Sequence, residues 1–154
     1  MNEDELLYQL SIMLIPGVGS RNSKQLISHC GNASQVFKEK ANTLAKIEGI
    51  GEIIARSIRH FSNFKVAEDE LRFIRKNNIS TRFYNEEDFP FRLKHCSDGP
   101  ILLFGKGNIE WNPKKALSVV GTRTASNYGR KQCESIIQEL ASTRLSIISG
   151  MAYG

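Results

Sequence analysis

One pattern occurs twice in the first half of the chain, and it leaves few folds open. Leu14-Ile15-Pro16-Gly17-Val18-Gly19 runs into Ser20-Arg21-Asn22-Ser23-Lys24-Gln25-Leu26-Ile27. The same order returns 32 residues later, counted from Gly17 to Gly49, as Ile47-Glu48-Gly49-Ile50-Gly51 followed by Glu52-Ile53-Ile54-Ala55-Arg56-Ser57-Ile58. Each copy reads as an apolar-ended helix, a Gly-x-Gly turn and a second helix. A small residue, Ser23 or Ala55, stands four places past the last glycine of each turn. Leu6, Leu7, Leu10, Met13 and Leu14 keep helical spacing before the first turn, and Leu26 and Ile27 keep it after. Gly31 is the expected stop. Short helices are predicted over residues 33–37 and 43–47. Ile53, Ile54, Ile58 and Phe61 mark the helix after the second turn, and a further helix is predicted over 66–77. Gly19 and Gly51 are expected to close the hairpins at positive φ, where a β-carbon would crowd the turn.

The period changes after Asn77-Asn78. Residues 79–84 are β-branched and aromatic and read as a strand. A polar, Pro-containing segment and the turn Asp98-Gly99-Pro100 follow, then a short apolar run over 101–104. Residues 116–120 and 145–148 read as buried strands, with an amphipathic helix between them over 127–144. Strand, helix and strand in that order indicate a parallel sheet. The expected organisation is a helical domain over 1–78 with tandem hairpins, then the N-terminal part of a Rossmann-like α/β domain over 79–154.

Composition narrows the class of protein. With 40% apolar and 24% charged residues in 154, the chain is globular rather than disordered. It has no apolar run of 18 residues, so no membrane span is expected, and the acidic start Met1-Asn2-Glu3-Asp4-Glu5 is unlike a signal peptide. Cys30, Cys96 and Cys133 are odd in number and far apart, which reads as reduced thiols in the cytoplasm. His29-Cys30 and His95-Cys96 lack the C-x-x-C partners of a zinc site. The net charge of +5 is compatible with a nucleic-acid partner. Its distribution is more informative: Lys114, Lys115, Arg123, Arg130 and Lys131 stand in a stretch without acids.

Two places are suited to phosphate. The hairpins resemble the helix-hairpin-helix motif of repair and recombination proteins, in which glycines bring the backbone close to another surface and the next helix offers free amides. Gly17, Gly19, Arg21 and Lys24 are the candidate contacts of the first hairpin. Glu48 and Glu52 flank the second and would repel a phosphate. The other place is Val119-Val120-Gly121-Thr122-Arg123, where a strand ends before a helix capped by Ser126 or Asn127. No dinucleotide fingerprint and no Walker loop occurs. A second such turn, Ser149-Gly150-Met151-Ala152-Tyr153-Gly154, follows the next strand. A parallel sheet ending there keeps an open edge. The chain is therefore expected to be the N-terminal portion of a longer protein, binding strands weakly or not at all by itself.

These residues together resemble the DNA-processing protein A family, DprA or Smf. The resemblance comprises the paired hairpins, Phe89-Pro90-x-x-Leu93, Asp98-x-Pro100 with Leu103 and Gly107, Val119 to Arg123, Tyr128-Gly129, and Ser149-Gly150-x-Ala152-x-Gly154. Phe89 stands where the family has Tyr, and Thr122 where it more often has Ser. The resemblance implies a sterile-alpha-motif-like helical domain, a Rossmann-like domain and often a winged helix. It implies a non-enzymatic protein of natural transformation that binds single-stranded DNA, protects it and loads RecA recombinase. It also implies a homodimer and no cofactor or metal. Carried onto this sequence, Gly121, Thr122 and Arg123 match the phosphate-contacting motif, and Ser149, Gly150 and Gly154 match the second loop of the pocket. Three alternatives stand beside it. They are a nucleotide-binding enzyme of the lysine-decarboxylase-like Rossmann group, a helix-hairpin-helix repair protein, and an interaction scaffold.

Overall fold

Helices α1 (Glu3–Met13) and α2 (Ser20–Cys30) form the first hairpin in the computed structural model, which describes residues 3–150. Three acids open α1 at the positive end of its dipole, and Leu6, Leu10 and Ile12 turn inward. Glu5 also reaches the start of α3 (Ala33–Lys38). Its carboxylate accepts the Ala33 N–H at 2.7 Å, while the Asn32 side chain accepts that of Gln35 at 2.9 Å. α2 ends as expected, the Gly31 N–H returning to the Ile27 carbonyl at 2.7 Å.

The helix expected over 43–47 lies earlier, as α4 (Ala41–Leu44). Beyond Leu44 the chain tightens into i→i+3 bonds, Ile47 N–H to Leu44 and Ile50 N–H to Ile47, which lead it into the second turn. The second hairpin continues into α5 (Gly51–Arg59), and α6 (Phe64–Lys76) packs on α1. Equivalent positions of the repeat are equally buried: Ser23 and Ala55 are each 1% exposed, which is why each copy has a small residue there.

Positive φ is found at Gly51 as expected, but not at Gly19. The first glycine of each turn carries it, Gly17 at +81° and Gly49 at +80°, together with Gly51 at +60°. Gly19 has φ −89° in extended backbone, with nothing within 4 Å of a built Cβ, because it serves as the N-cap of α2 rather than as the bend. Gly51 likewise has open space around a Cβ.

α6 ends in a Schellman motif. Asn78 is left-handed at φ +51°, its N–H bonds Arg75 O at 3.2 Å, and the Ile79 N–H bonds Ile74 O at 3.0 Å. The chain then enters β1 (Ser80–Phe83), which pairs antiparallel with β2 (Leu102–Gly105), Ser80 opposite Gly105 and Phe83 opposite Leu102. α7 (Phe91–Lys94) lies between them. Phe83, Ile101 and Leu102 belong to the same buried cluster as Leu6, Ile58 and Ile74. The first compact unit therefore runs past the change of period at residue 79 and divides from the second between Ile109 and Glu110.

The second unit is a strand–helix–strand: β3 (Ala116–Val119), α8 (Asn127–Leu140) and β4 (Ser146–Ser149). β3 and β4 pair in parallel, Ala116 opposite Ser146 and Val119 opposite Ser149. α8 is shorter than expected because the Thr143 hydroxyl donates to the Leu140 carbonyl at 2.7 Å, a single 3₁₀ turn follows, and Arg144 is left-handed at φ +51°. No residue of α8 is buried, since two strands and one helix cannot enclose a core. Among the described residues, no helix is long and apolar enough to cross a membrane.

Candidate nucleic-acid interface

Parallel pairing decides what the two glycine-rich turns can do together. With Val119 opposite Ser149, the chain leaves β3 through Val120-Gly121 and β4 through Gly150 at the same end of the strand pair. Gly121, Thr122, Arg123, Ser149 and Gly150 are thus brought to one edge, and all are exposed. Gly154 lies outside the described residues. Ser126 is the N-cap of α8, its hydroxyl accepting the Gly129 N–H at 3.1 Å, so the helix amides open towards the first loop. The Thr122 hydroxyl donates to Thr124 O at 3.0 Å and holds the loop in a tight turn. Arg123 makes no hydrogen bond or ion pair with any described residue.

Neither glycine is required by the loops themselves. A Cβ built on Gly121 or Gly150 meets nothing within 4 Å, and neither backbone lies at positive φ. The basic stretch from Lys114 to Lys131 surrounds the first loop without an acid, and Tyr128 stands 74% exposed in the first turn of α8.

The helical candidates separate. Gly17 O accepts the Asn22 side-chain amide at 3.1 Å, Gly19 caps α2, and Arg21 is exposed on its first turn. Lys24 is engaged elsewhere: its ammonium donates to Cys96 O at 2.8 Å and Ser97 O at 3.4 Å, and stands 5.9 Å from the centroid of Tyr84. Burial holds the Tyr84 hydroxyl above its usual range. The sequence did not foretell this clamp, because its partners are backbone carbonyls 72 and 73 residues away. At the second turn, Glu52 is paired with Arg56 at 2.9 Å.

Fold and loops together define a helix-hairpin-helix protein joined to a parallel α/β unit with paired strand-end turns. The helix-hairpin-helix family model matches residues 5–69, and that of DNA recombination-mediator protein A matches residues 80–154. The chain is similar to the DNA-processing protein A family, DprA or Smf. It is 39% identical over 69 residues to the DNA processing protein DprA of Streptococcus pneumoniae, covering 45% of this chain and 24% of that protein. It is 32% identical over 81 residues to DprA of Bacillus subtilis, covering 52% and 27%. Protein Smf of Synechocystis is 24% identical over 162 aligned positions, covering all of this chain and 40% of the relative. The chain thus spans between about a quarter and two fifths of the length of these three relatives.

Proposed function

We propose that this chain is the helical and first α/β part of a DNA-processing, recombination-mediating protein that binds single-stranded DNA. Gly121, Thr122, Arg123, Ser149, Gly150 and Gly154 contact the phosphates, and the bound strand passes to a RecA recombinase. The observation that carries this reading is the pair of exposed turns at one end of parallel strands, with Arg123 beside them. Glycines that neither φ nor packing demands suit a surface where a backbone or ligand comes close. The amides behind Ser126 and an Arg beside them suit an anion. The protein holds its strand without turnover, needs neither cofactor nor metal, works in the cytoplasm and forms a homodimer. The helical domain over 1–78 and the α/β domain from 79 onward are its functional modules. At the first hairpin Gly17, Gly19 and Arg21 add a backbone contact, while Lys24 serves the fold.

The test is a salt titration of a labelled single strand against the whole polypeptide and its Arg123→Ala variant. Weaker binding with a shallower salt slope is expected. An unchanged affinity and slope in a folded variant overturns the assignment.

A further inference from the structure

The segment Phe89-Pro90-x-x-Leu93 is singled out by the sequence, and the paired loops make no use of it. Phe89 is fully buried and anchors it. α7 then turns Phe91 outward, 49% exposed, with the Arg92 guanidinium 4.5 Å from its ring centroid. Arg92, Lys94 and His95 are exposed, and no acid occurs from Phe89 to Ser97. The Lys24 clamp on Cys96 and Ser97 holds this segment to the first hairpin, where exposed Arg21 precedes Lys24 by about one turn. Cations from two distant parts of the sequence and one outward ring therefore gather around a single clamp.

Cations alone would form a solvated face. The ring adds a chemical preference, because single-strand binders combine a positive track with aromatic side chains on which bases stack. A protein-docking patch would need a wider apolar area. Among the described residues, the exposed large apolar side chains next to Phe91 along the sequence are Phe73 and Phe104, each more than ten positions away.

We propose that residues 91–95, clamped by Lys24, form a second contact for single-stranded nucleic acid, on the first compact unit. Phe91 stacks a base, and Arg92 and His95 pair with phosphates. The proposal rests on the single-strand function above and adds a contact separate from the paired loops.

The experiment titrates fluorescein-labelled oligodeoxythymidine against the whole polypeptide by anisotropy at several salt concentrations, and maps photocrosslinks from iododeoxyuridine strands. Phe91→Ala should weaken binding about 5- to 150-fold, the loss of one stacked base. Phe91→Leu should not restore it, whereas Phe91→Trp should. Arg92→Ala should lower the salt slope by about 0.7, and crosslinks should fall on Phe91. Wild-type affinity in Phe91→Leu, with crosslinks confined to residues 121–123, overturns this contact and leaves the proposed function standing. The Leu variant keeps that outcome readable if the Ala variant fails to fold. A wild-type protein that binds no strand overturns both.

Discussion

Gly49 backs onto Gln25: a β-carbon built on the glycine would stand 3.1 Å from Gln25 Oε1. Its repeat-mate makes the reciprocal approach, Gly17 lying 3.5 Å by the same construction from Ile54 Cγ1. Asn22, which is 3.5 Å from the Gly49 construction, and Ile54 each stand three residues past the last glycine of their own turn. The two hairpins therefore pack by exchange, the turn of one against the outgoing helix of the other. Gly49→Ser should lower stability by about 1–3 kcal/mol, from positive φ and the tight contact together. Gly19→Ser should change it by no more than about 0.5 kcal/mol, because a serine suits an extended N-cap. Denaturant unfolding of the two variants checks the contrast, and equal losses would show that the bend is shared by both glycines.

Gly121→Ala separates binding from folding. The built Cβ has open space and the backbone is not left-handed, so stability should stay within about 0.5 kcal/mol of the parent. Affinity for single strands should nevertheless fall about tenfold or more, corresponding to about 1.4 kcal/mol. Thermal melting and strand titration on the same sample decide it, and a variant that melts and binds like the parent removes Gly121 from the site.

Phe83→Ala tests how far the helical core extends. Its ring is 1% exposed in a cluster that also holds Leu6, Ile58 and Ile74, so the loss should be about 3–5 kcal/mol. Helical circular dichroism should fall at the lowered midpoint. A helical signal that melts as in the parent would make the β1–β2 hairpin an appendage.

Lys24→Met should loosen the loop carrying Cys96 and Ser97 at a cost of about 1 kcal/mol. Amide exchange within residues 94–99 is the measurement, with faster exchange expected there than in α2. Unaltered exchange would mean that the two carbonyl contacts contribute nothing.

Glu39 gives the pH dependence a sign. Its carboxylate accepts the Lys40 N–H at 2.8 Å, and that bond first, then the Thr43 hydroxyl, holds its pKa below the usual glutamate range. A carboxyl more acidic in the fold stabilises it above the unfolded value, and the contribution disappears as pH falls through the folded value. Thermal midpoints from about pH 5 downward should therefore drop less steeply for Glu39→Gln than for the parent. Parallel acid limbs would exclude the effect.

What the sequence by itself determined is local. The two glycine turns, the stop at Gly31, the end of α6 at Asn77-Asn78 and the strand–helix–strand at the end rest on backbone freedom, capping and the period of apolar residues. These act within a few positions along the chain, so they can be read without a fold. The tertiary structure decided what depends on distant partners. Positive φ went to Gly17 and Gly49 because each turn bends against the opposite helix, and Gly19 was left to cap. Lys24 went to the Cys96 carbonyl, since an ammonium near a bent loop is better satisfied by fixed oxygens than by water alone. The β1–β2 hairpin joined the helical core because Phe83 and Leu102 had apolar surface to bury and the helices offered an enclosed face for it. That the two strand-end turns lie side by side was legible in the strand–helix–strand pattern; the register that sets Val119 opposite Ser149 came from hydrogen bonds across β3 and β4, which no single segment encodes.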